Sequence, residues 1–121
     1  MWTYKQSTGQ LLDAAGQLRG TGYSGSPAGK NNPAKQCVKD VGPIPRGHYS
    51  INPPRNTVNH GPFVMPLAPD PANDMCGRSA FLIHGDSSAH LGAASEGCIV
   101  MGPDIRHLIW NSNDHALQVV E

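Results

Sequence analysis

Glycine and proline interrupt this chain so often that few segments are long enough to form a helix. The 121 residues include 14 glycines and 11 prolines, which separate short apolar runs from one another. Short runs bounded by turn-forming residues favour β-strands, which need only about five residues, whereas helices usually need about ten or more. We therefore expect a mainly β chain with long loops. Its length fits a single domain over residues 1–121.

One segment departs from this pattern and predicts a helix. Pro103 suits the first helical position, and Asp104 favours the positive end of a helix. Three apolar residues then fall on one helical face: Ile105, Leu108 and Ile109. We predict one short helix near residues 103–111.

The other apolar runs predict strands. The sequence favours an N-terminal hairpin between residues 2–6 and 10–13, and a second hairpin between residues 37–41 and 48–52 around the turn at Pro45-Arg46-Gly47. Residues 20–35 are rich in Gly, Ser, Asn and Pro and are predicted to form a surface loop. Three further strands are expected, at residues 63–67, 80–84 and 117–120.

Charge and hydropathy exclude several classes of function. The formal net charge is zero and the pI is about 7.0, which argues against a nucleic-acid-binding surface or a polybasic membrane anchor. No apolar run approaches the ~20 residues of a membrane span, so we expect no membrane insertion. The first nine residues lack the basic and apolar regions of a Sec signal. We therefore expect synthesis in the cytoplasm without such a signal.

Residues 81–101 contain the pattern with the most chemistry. An apolar run ends on His84 and Gly85, and Cys98 follows His84 by 14 residues within the sequence Ser-Glu-Gly-Cys, ahead of a second apolar run. A thiol attacks a carbonyl efficiently only as its anion, so a catalytic cysteine needs a base or a positive charge nearby. Two neighbouring strands with their loops at the same end can place an imidazole and a thiol in one site. The pattern predicts a cysteine acyl-transfer enzyme.

Each polar residue near this thiol has more than one possible role. His84 is the expected general base, protonated in a thiolate–imidazolium pair with Cys98, and His90, in the intervening loop, is the second candidate. Ser95 either orients the imidazole or caps the turn at Gly97. Asp86 either takes the orienting role or forms a turn.

These motifs are similar to the signature of the L,D-transpeptidases of peptidoglycan, in which His-Gly is followed by Ser/Thr-His-Gly-Cys. Residues 42–51 resemble the Pro-x-Gly-x-Phe/Tyr-x-Ile hairpin of that family, with Tyr49 at its aromatic position. The whole chain is closer to the L,D-transpeptidase-like toxin effectors of type VI secretion, which use Ser-Glu-Gly-Cys. Four segments carry this likeness: Trp2-x-Tyr4 with Gly9, residues 22–25, residues 31–33 and residues 77–86.

The resemblance implies a β-sandwich or barrel and a cysteine L,D-transpeptidase or L,D-carboxypeptidase that needs no cofactor and no metal. Its substrates would be peptidoglycan tetrapeptide stems and D-amino acids. The implied catalytic residues are Cys98, His84, Ser95 and Gly97, with backbone N–H groups near Gly97 and Cys98 holding the oxyanion. A cognate immunity protein and a carrier of the secretion machine are the implied partners. The periplasm of a target Gram-negative cell is the implied destination.

The sequence also departs from most L,D-transpeptidases near the thiol. Glu96 stands where His is usual and is expected to face solvent, a backbone donor or the amine of an acceptor amino acid, since a carboxylate turned inward raises the pKa of a thiol. No Asn or Arg follows Cys98 closely, so the substrate carboxylate is left to Arg78 or Arg46, each of which could instead be an ordinary surface charge. The expected substrate-binding residues are Tyr49, on the wall of the cleft, Arg78, Asp86, Glu96 and His90.

Three questions remain open at the level of the sequence. His84, Asp86, His90 and Cys98 are ligand types that zinc accepts, although their spacing matches no zinc pattern. The chain could instead be a housekeeping L,D-transpeptidase that makes cross-links, or a peptidoglycan-binding module without activity. Cys37 and Cys76 either form a disulfide or remain as two small buried thiols.

Overall fold

The computed structural model describes residues 1–121 and has the predicted mainly β composition with one short helix. A 3-10 helix spans Pro33–Lys35, and the α-helix α1 spans Pro103–Asn111. The ten strands are β1 (Trp2–Lys5), β2 (Gln10–Leu12), β3 (Leu18–Thr21), β4 (Tyr23–Ser24), β5 (Gly47–Ile51), β6 (Arg55–Thr57), β7 (Gly61–Pro69), β8 (Leu82–His84), β9 (Ile99–Val100) and β10 (Ala116–Val120).

The strands form one open mixed sheet in the order β3-β2-β1-β10-β5-β7-β8-β9-β4, with β6 beside β7. Its two edge strands, β3 and β4, belong to the same stretch of chain and are separated only by Gly22. The sheet must therefore curl until its two ends meet at that residue, which gives a barrel-like shape without hydrogen bonds that close it. A side chain at Gly22 would collide with the Val100 carbonyl oxygen, so the close approach there needs glycine.

The core lies inside this curled sheet and reaches the strands that carry the candidate site. Alternation along β1 and β10 turns Trp2, Tyr4, Leu117 and Val119 inward. Fifteen buried residues form one cluster that extends to Ile83 of β8 and Ile99 of β9. Burying one large apolar side chain contributes roughly 1.5–3 kcal/mol. The residues next to His84 and Cys98 are therefore anchored in the core.

Two predictions about individual elements were wrong. Residues 37–41 form turns instead of a strand, because a disulfide joins Cys37 to Cys76 and the following carbonyl groups accept hydrogen bonds from Arg78. β5 therefore pairs with β10 and β7 instead of forming a hairpin with that segment. Residues 20–35, predicted as a loop, supply part of β3 and all of β4.

The predicted helix is confirmed at residues 103–111, but its buried side differs from the apolar face. Ile109 is buried together with Arg106, whereas Ile105 and Leu108 are only partly buried. α1 is also the longest helix in the chain, and no helix combines the length and hydrophobicity that crossing a bilayer requires.

Candidate active site

His84 and Cys98 project from the same face of two neighbouring strands. β8 and β9 pair in parallel, with Ile83 opposite Ile99 and His84 opposite Val100. Because side chains alternate along a strand, Cys98, which directly precedes Ile99, shares the face of His84. The prediction that their loops leave at the same end was wrong, since parallel pairing puts the end of β8 and the start of β9 at opposite ends. Both strands are so short that the two groups still line one cavity.

That cavity has a volume of about 530 Å³ and contains the imidazole and the thiol together. Ser95, Glu96 and Gly97 line it from the loop before β9, and His60 lines it from the turn before β7. Arg78 and Phe81 form a further part of its wall. A substrate in this cavity would contact both reactive groups.

The tautomer of His84 is set by its own backbone neighbour. Its Nδ1 lies 2.7 Å from the Gly85 carbonyl oxygen, so Nδ1–H donates there and Nε2 is left as an unprotonated acceptor. Nε2 is buried and has no hydrogen-bond partner. Leaving a buried acceptor unsatisfied costs about 1–3 kcal/mol, so such an atom in a native protein needs an explanation, and a catalytic role is one.

The surroundings of His84 favour its neutral form. Burial lowers the pKa of His84, and the nearby charges of His60 and Arg106 lower it further, although the Gly85 carbonyl and Asp86 oppose this shift. The His60 ring stacks on the His84 ring, with centroids 4.4 Å apart and planes at 26°. Sequence reasoning missed His60 because a histidine in a polar turn has no distinctive pattern.

Cys98 is the only free cysteine of the chain, and it is held mostly as a neutral thiol. Burial raises its pKa and Glu96 adds to this rise, whereas the Leu82 backbone N–H and the Arg78 charge lower it. No hydrogen bond joins the thiol to His84. The resting pair is therefore a neutral thiol and a neutral imidazole, and not the thiolate–imidazolium pair expected for a preformed nucleophile. Hydrogen bonds of this kind are often long before substrate binds.

Ser95 fixes the loop that carries the thiol and makes no hydrogen bond to His84. Its Oγ donates to the Cys98 carbonyl at 2.6 Å and accepts from the N–H groups of Gly25 and Gly97 at 3.0 Å each. Of its two expected roles, the structure shows the turn-capping one. The Gly97 N–H is already donated to Ser95, so it is not free for an oxyanion.

Arg78 occupies the position behind this loop, where it holds two segments together. Its guanidinium donates to four carbonyl oxygens, those of Gln36, Gly42, Pro43 and Glu96, at 2.7–3.0 Å. With these bonds it acts as a buried brace whose positive charge lies near Cys98, and not as a free carboxylate receptor. Gly97 has a φ of +147°, and a side chain there would collide with Arg78 and Phe81.

Of the remaining expected residues, Glu96 alone lines the cavity of Cys98. Glu96 is exposed and lines the cavity, whereas His90 is exposed and lines only a second cavity beyond His84. Tyr49 does not line the cavity of Cys98, because it is buried in the core and donates its hydroxyl to the Pro45 carbonyl at 2.7 Å. Arg46 is on the surface and pairs with Glu121 at 3.3 Å.

Asp86 braces the loop between the two strands. Its carboxylate accepts from the Tyr23 hydroxyl at 2.6 Å and from the N–H groups of Ser87 and Gly92. Although burial raises the pKa of Asp86, these hydrogen bonds outweigh it and lower the pKa below its ordinary value. Asp86 is therefore ionised and does not reach the His84 ring by a hydrogen bond.

Two of the questions left open by the sequence concern a disulfide and a zinc site. Cys37 and Cys76 form a disulfide. No three His, Cys, Asp or Glu side chains come together as a metal site. His84, Asp86, His90 and Cys98, the residue types that zinc accepts, therefore do not form a cluster.

Comparison with known proteins gives one family. The model of the Tlde1 domain matches residues 19–121, which includes every residue of the cavity described above. No curated protein and no solved structure matches the chain.

Proposed function

This chain belongs to the Tlde1 domain family, the L,D-transpeptidase-like toxins among the type VI secretion effectors, and on that basis we propose that it is a cysteine acyl-transfer enzyme of the peptidoglycan stem. It removes the terminal D-alanine of a tetrapeptide stem, or exchanges it for another D-amino acid, through a Cys98 thioester. The product is a stem that can no longer donate to a cross-link.

The observation that carries this proposal is the unpartnered Nε2 of His84 in the cavity of the only free thiol. A buried acceptor without a partner is unfavourable unless something binds to it. A thiol proton that moves to it during attack provides that partner. The fixed Nδ1 tautomer keeps Nε2 ready to accept.

The reaction proceeds in two acyl transfers. His84 Nε2 takes the proton from Cys98 as the sulfur attacks the carbonyl of the third stem residue. The carbon–nitrogen bond to D-alanine then breaks, and the proton on His84 passes to the leaving amine. In the second step His84 removes a proton from water or from an amino acid amine, which attacks the thioester, and Cys98 recovers its proton.

Charge in the transition state is balanced by groups around the thiol. The Arg78 guanidinium and the Leu82 N–H both favour negative charge on sulfur. With the Gly97 N–H donated to Ser95, we assign the developing oxyanion to the backbone N–H of Cys98. One donor of this kind typically contributes ~3–4 kcal/mol to catalysis.

The test of this proposal is incubation of the protein with tetrapeptide muropeptides and D-methionine, followed by measurement of product masses. Loss of alanine indicates hydrolysis, replacement by methionine indicates exchange, and dimers indicate the cross-linking of a housekeeping transpeptidase.

Cys98→Ala should give no product while its thermal unfolding stays close to that of the wild type, because the change removes a sulfur and little volume. Cys98→Ser should be nearly inactive, since a hydroxyl is a poorer nucleophile without a stronger base. Substantial turnover by Cys98→Ala contradicts covalent catalysis, and absence of any product from the wild type contradicts the enzymatic proposal.

The site of action follows from the substrate. Because peptidoglycan lies outside the cytoplasm, we propose that the protein acts in the periplasm of a target Gram-negative cell after delivery by a carrier, and that the producing cell holds an immunity protein against it. Expression of the chain behind a periplasmic leader should lyse a Gram-negative cell, whereas the Cys98→Ala variant and the leaderless chain should not. Equal toxicity of the leaderless chain contradicts this site of action.

A further inference from the structure

A second cavity adjoins the first one and shares His60 and His84 with it. It has a volume of about 520 Å³ and continues past Gly85 and Asp86 to Arg106 of α1. Cys98 does not line it. The thiol therefore lines one cavity and Arg106 lines the other, and the imidazole of His84 lines both.

Arg106 is a buried cation with one end open to this cavity. It is 5% exposed, its Nε donates to the Met101 carbonyl, and its Nη1 donates to the carbonyls of Pro62 and Phe63. Nη2 has no hydrogen-bond partner, and no carboxylate pairs with the guanidinium. A buried charge normally has a partner of opposite sign, so this end of Arg106 is suited to an anion that the chain itself does not supply.

Nη2 lies at the bend of the chain that follows His84. A Cβ built on Gly85 would be 2.8 Å from Nη2, so glycine leaves the guanidinium open towards this cavity. Arg106 is also close enough to His84 for its charge to act on the imidazole. The anion that Nη2 binds must therefore lie near the group that exchanges protons with the substrate.

The proposed reaction needs an anion at this place. Its leaving group and its acceptor are α-amino acids, and their amine must meet His84 because His84 gives or takes its proton. The carboxylate carbon is two bonds from that amine. We propose that the second cavity is the amino acid subsite, and that Arg106 Nη2 binds the α-carboxylate of the amino acid that leaves or enters. This inference rests on the function proposed above and names the residue that selects the acceptor.

Asp86 in the same cavity supports an amino acid as the ligand. Its ionised carboxylate lines the cavity that Arg106 also lines, so the cavity presents one negative and one positive charge. A free amino acid carries both charges, whereas a simple anion carries only the negative one. The pair favours a zwitterion over a ligand with two carboxylates and no amine.

The experiment measures how the thioester partitions between water and an added amine. Wild-type protein receives tetrapeptide muropeptide with D-methionine or with D-methioninamide, which keeps the amine and lacks the carboxylate. The ratio of exchange to hydrolysis should be about 10- to 100-fold higher with D-methionine, the range of one charge-assisted hydrogen bond. In Arg106→Gln this preference for the carboxylate should disappear. Since both products come from one thioester, the ratio does not depend on how much of the variant is folded.

Arg46→Gln is the matched control, because Arg46 is exposed and lines neither cavity. It should keep the wild-type preference. The amino acid subsite is overturned if Arg106→Gln keeps the preference, if the wild type accepts both amines equally, or if the wild type hydrolyses its substrate without exchange at high D-methionine. All three outcomes leave the proposed hydrolysis intact. Only a wild type that forms no product at all contradicts the proposed function itself.

Discussion

The Gly85 carbonyl holds the imidazole of His84 in the tautomer that leaves Nε2 free to accept a proton. Because this imidazole also lines the cavity of Cys98, His84 is the expected base. His90 lies in an exposed turn and does not line the cavity of Cys98. His84→Ala should lose about as much activity as Cys98→Ala, because members of one catalytic unit are not additive. His90→Ala should retain most of its turnover in the same muropeptide assay. The reverse order would move the base into the loop.

The environment of His84 also predicts how activity depends on pH. Burial lowers the pKa of His84 below the ordinary value of about 6.5, so the imidazole remains a neutral base in mildly acidic solution. The acid limb of kcat/KM should therefore lie below pH 6.5. The alkaline limb should lie above the ordinary pKa of a thiol, because burial raises that of Cys98.

The stacked ring of His60 gives a direct test of this assignment. His60→Ala removes a group that lowers the pKa of His84 and exposes the imidazole to water, so the acid limb should move to higher pH. The pH profiles of kcat/KM for the variant and the wild type measure this shift. An acid limb that does not move would show that His84 is not the titrating base.

At the scale of the element, the loop before β9 depends on one serine. Ser95→Ala leaves the buried N–H groups of Gly25 and Gly97 without an acceptor, and each such loss costs about 1–3 kcal/mol. The free energy of unfolding should fall by at least one such amount, and kcat should fall because the thiol loses its fixed position. Ser87→Ala is the control, since Ser87 Oγ accepts only from the exposed His90 N–H, and it should change stability by less than about 0.5 kcal/mol. Equal effects of the two changes, measured by denaturant unfolding, would contradict this role of Ser95.

The elements also show what sequence patterns could and could not predict. The apolar runs at Ile83 and Ile99 and the Pro103 start of α1 were readable because hydrophobic periodicity and helix-start signals are local. The parallel pairing of β8 and β9 was not, since both orientations bury the same residues. The turns at residues 37–41 depend on a disulfide and on carbonyl bonds to Arg78, which lies some 40 positions away.

Site residues that local motifs mark were predicted, whereas site residues whose roles depend on distant contacts were missed. The motifs indicated the His84 and Cys98 pair, and the structure brings both residues to one cavity. His60 and Arg106 were missed, because their roles arise from contacts between elements distant in sequence. One signal was present for Arg106: it stands three positions before Ile109, in phase with the buried side of α1. Tyr49 was assigned to the wall of the cavity from a motif that here serves the core.

At the scale of the whole molecule, one disulfide joins two segments that are distant in sequence and that both line the cavity of Cys98. Cys37 and Cys76 join the segment before β5 to the loop that carries Arg78, and their separation is 39 residues. Lys39 and Asp40 from the first segment and Gly77 from the second line the cavity of Cys98. The disulfide therefore fixes two walls of the candidate site relative to each other.

The disulfide predicts that the chain is less stable under reducing conditions than under oxidising ones. A cross-link that closes a loop of this length stabilises the folded state by roughly 4 kcal/mol in the chain-entropy model. Denaturant unfolding of the Cys98→Ala variant, with and without a thiol reductant, measures this difference without interference from the free thiol. A double Cys37→Ser, Cys76→Ser variant should match the reduced protein and should not respond to the reductant. If reduction leaves the free energy of unfolding unchanged, the disulfide does not stabilise the folded protein. The stability of the protein would then give no support to the proposed delivery to the periplasm.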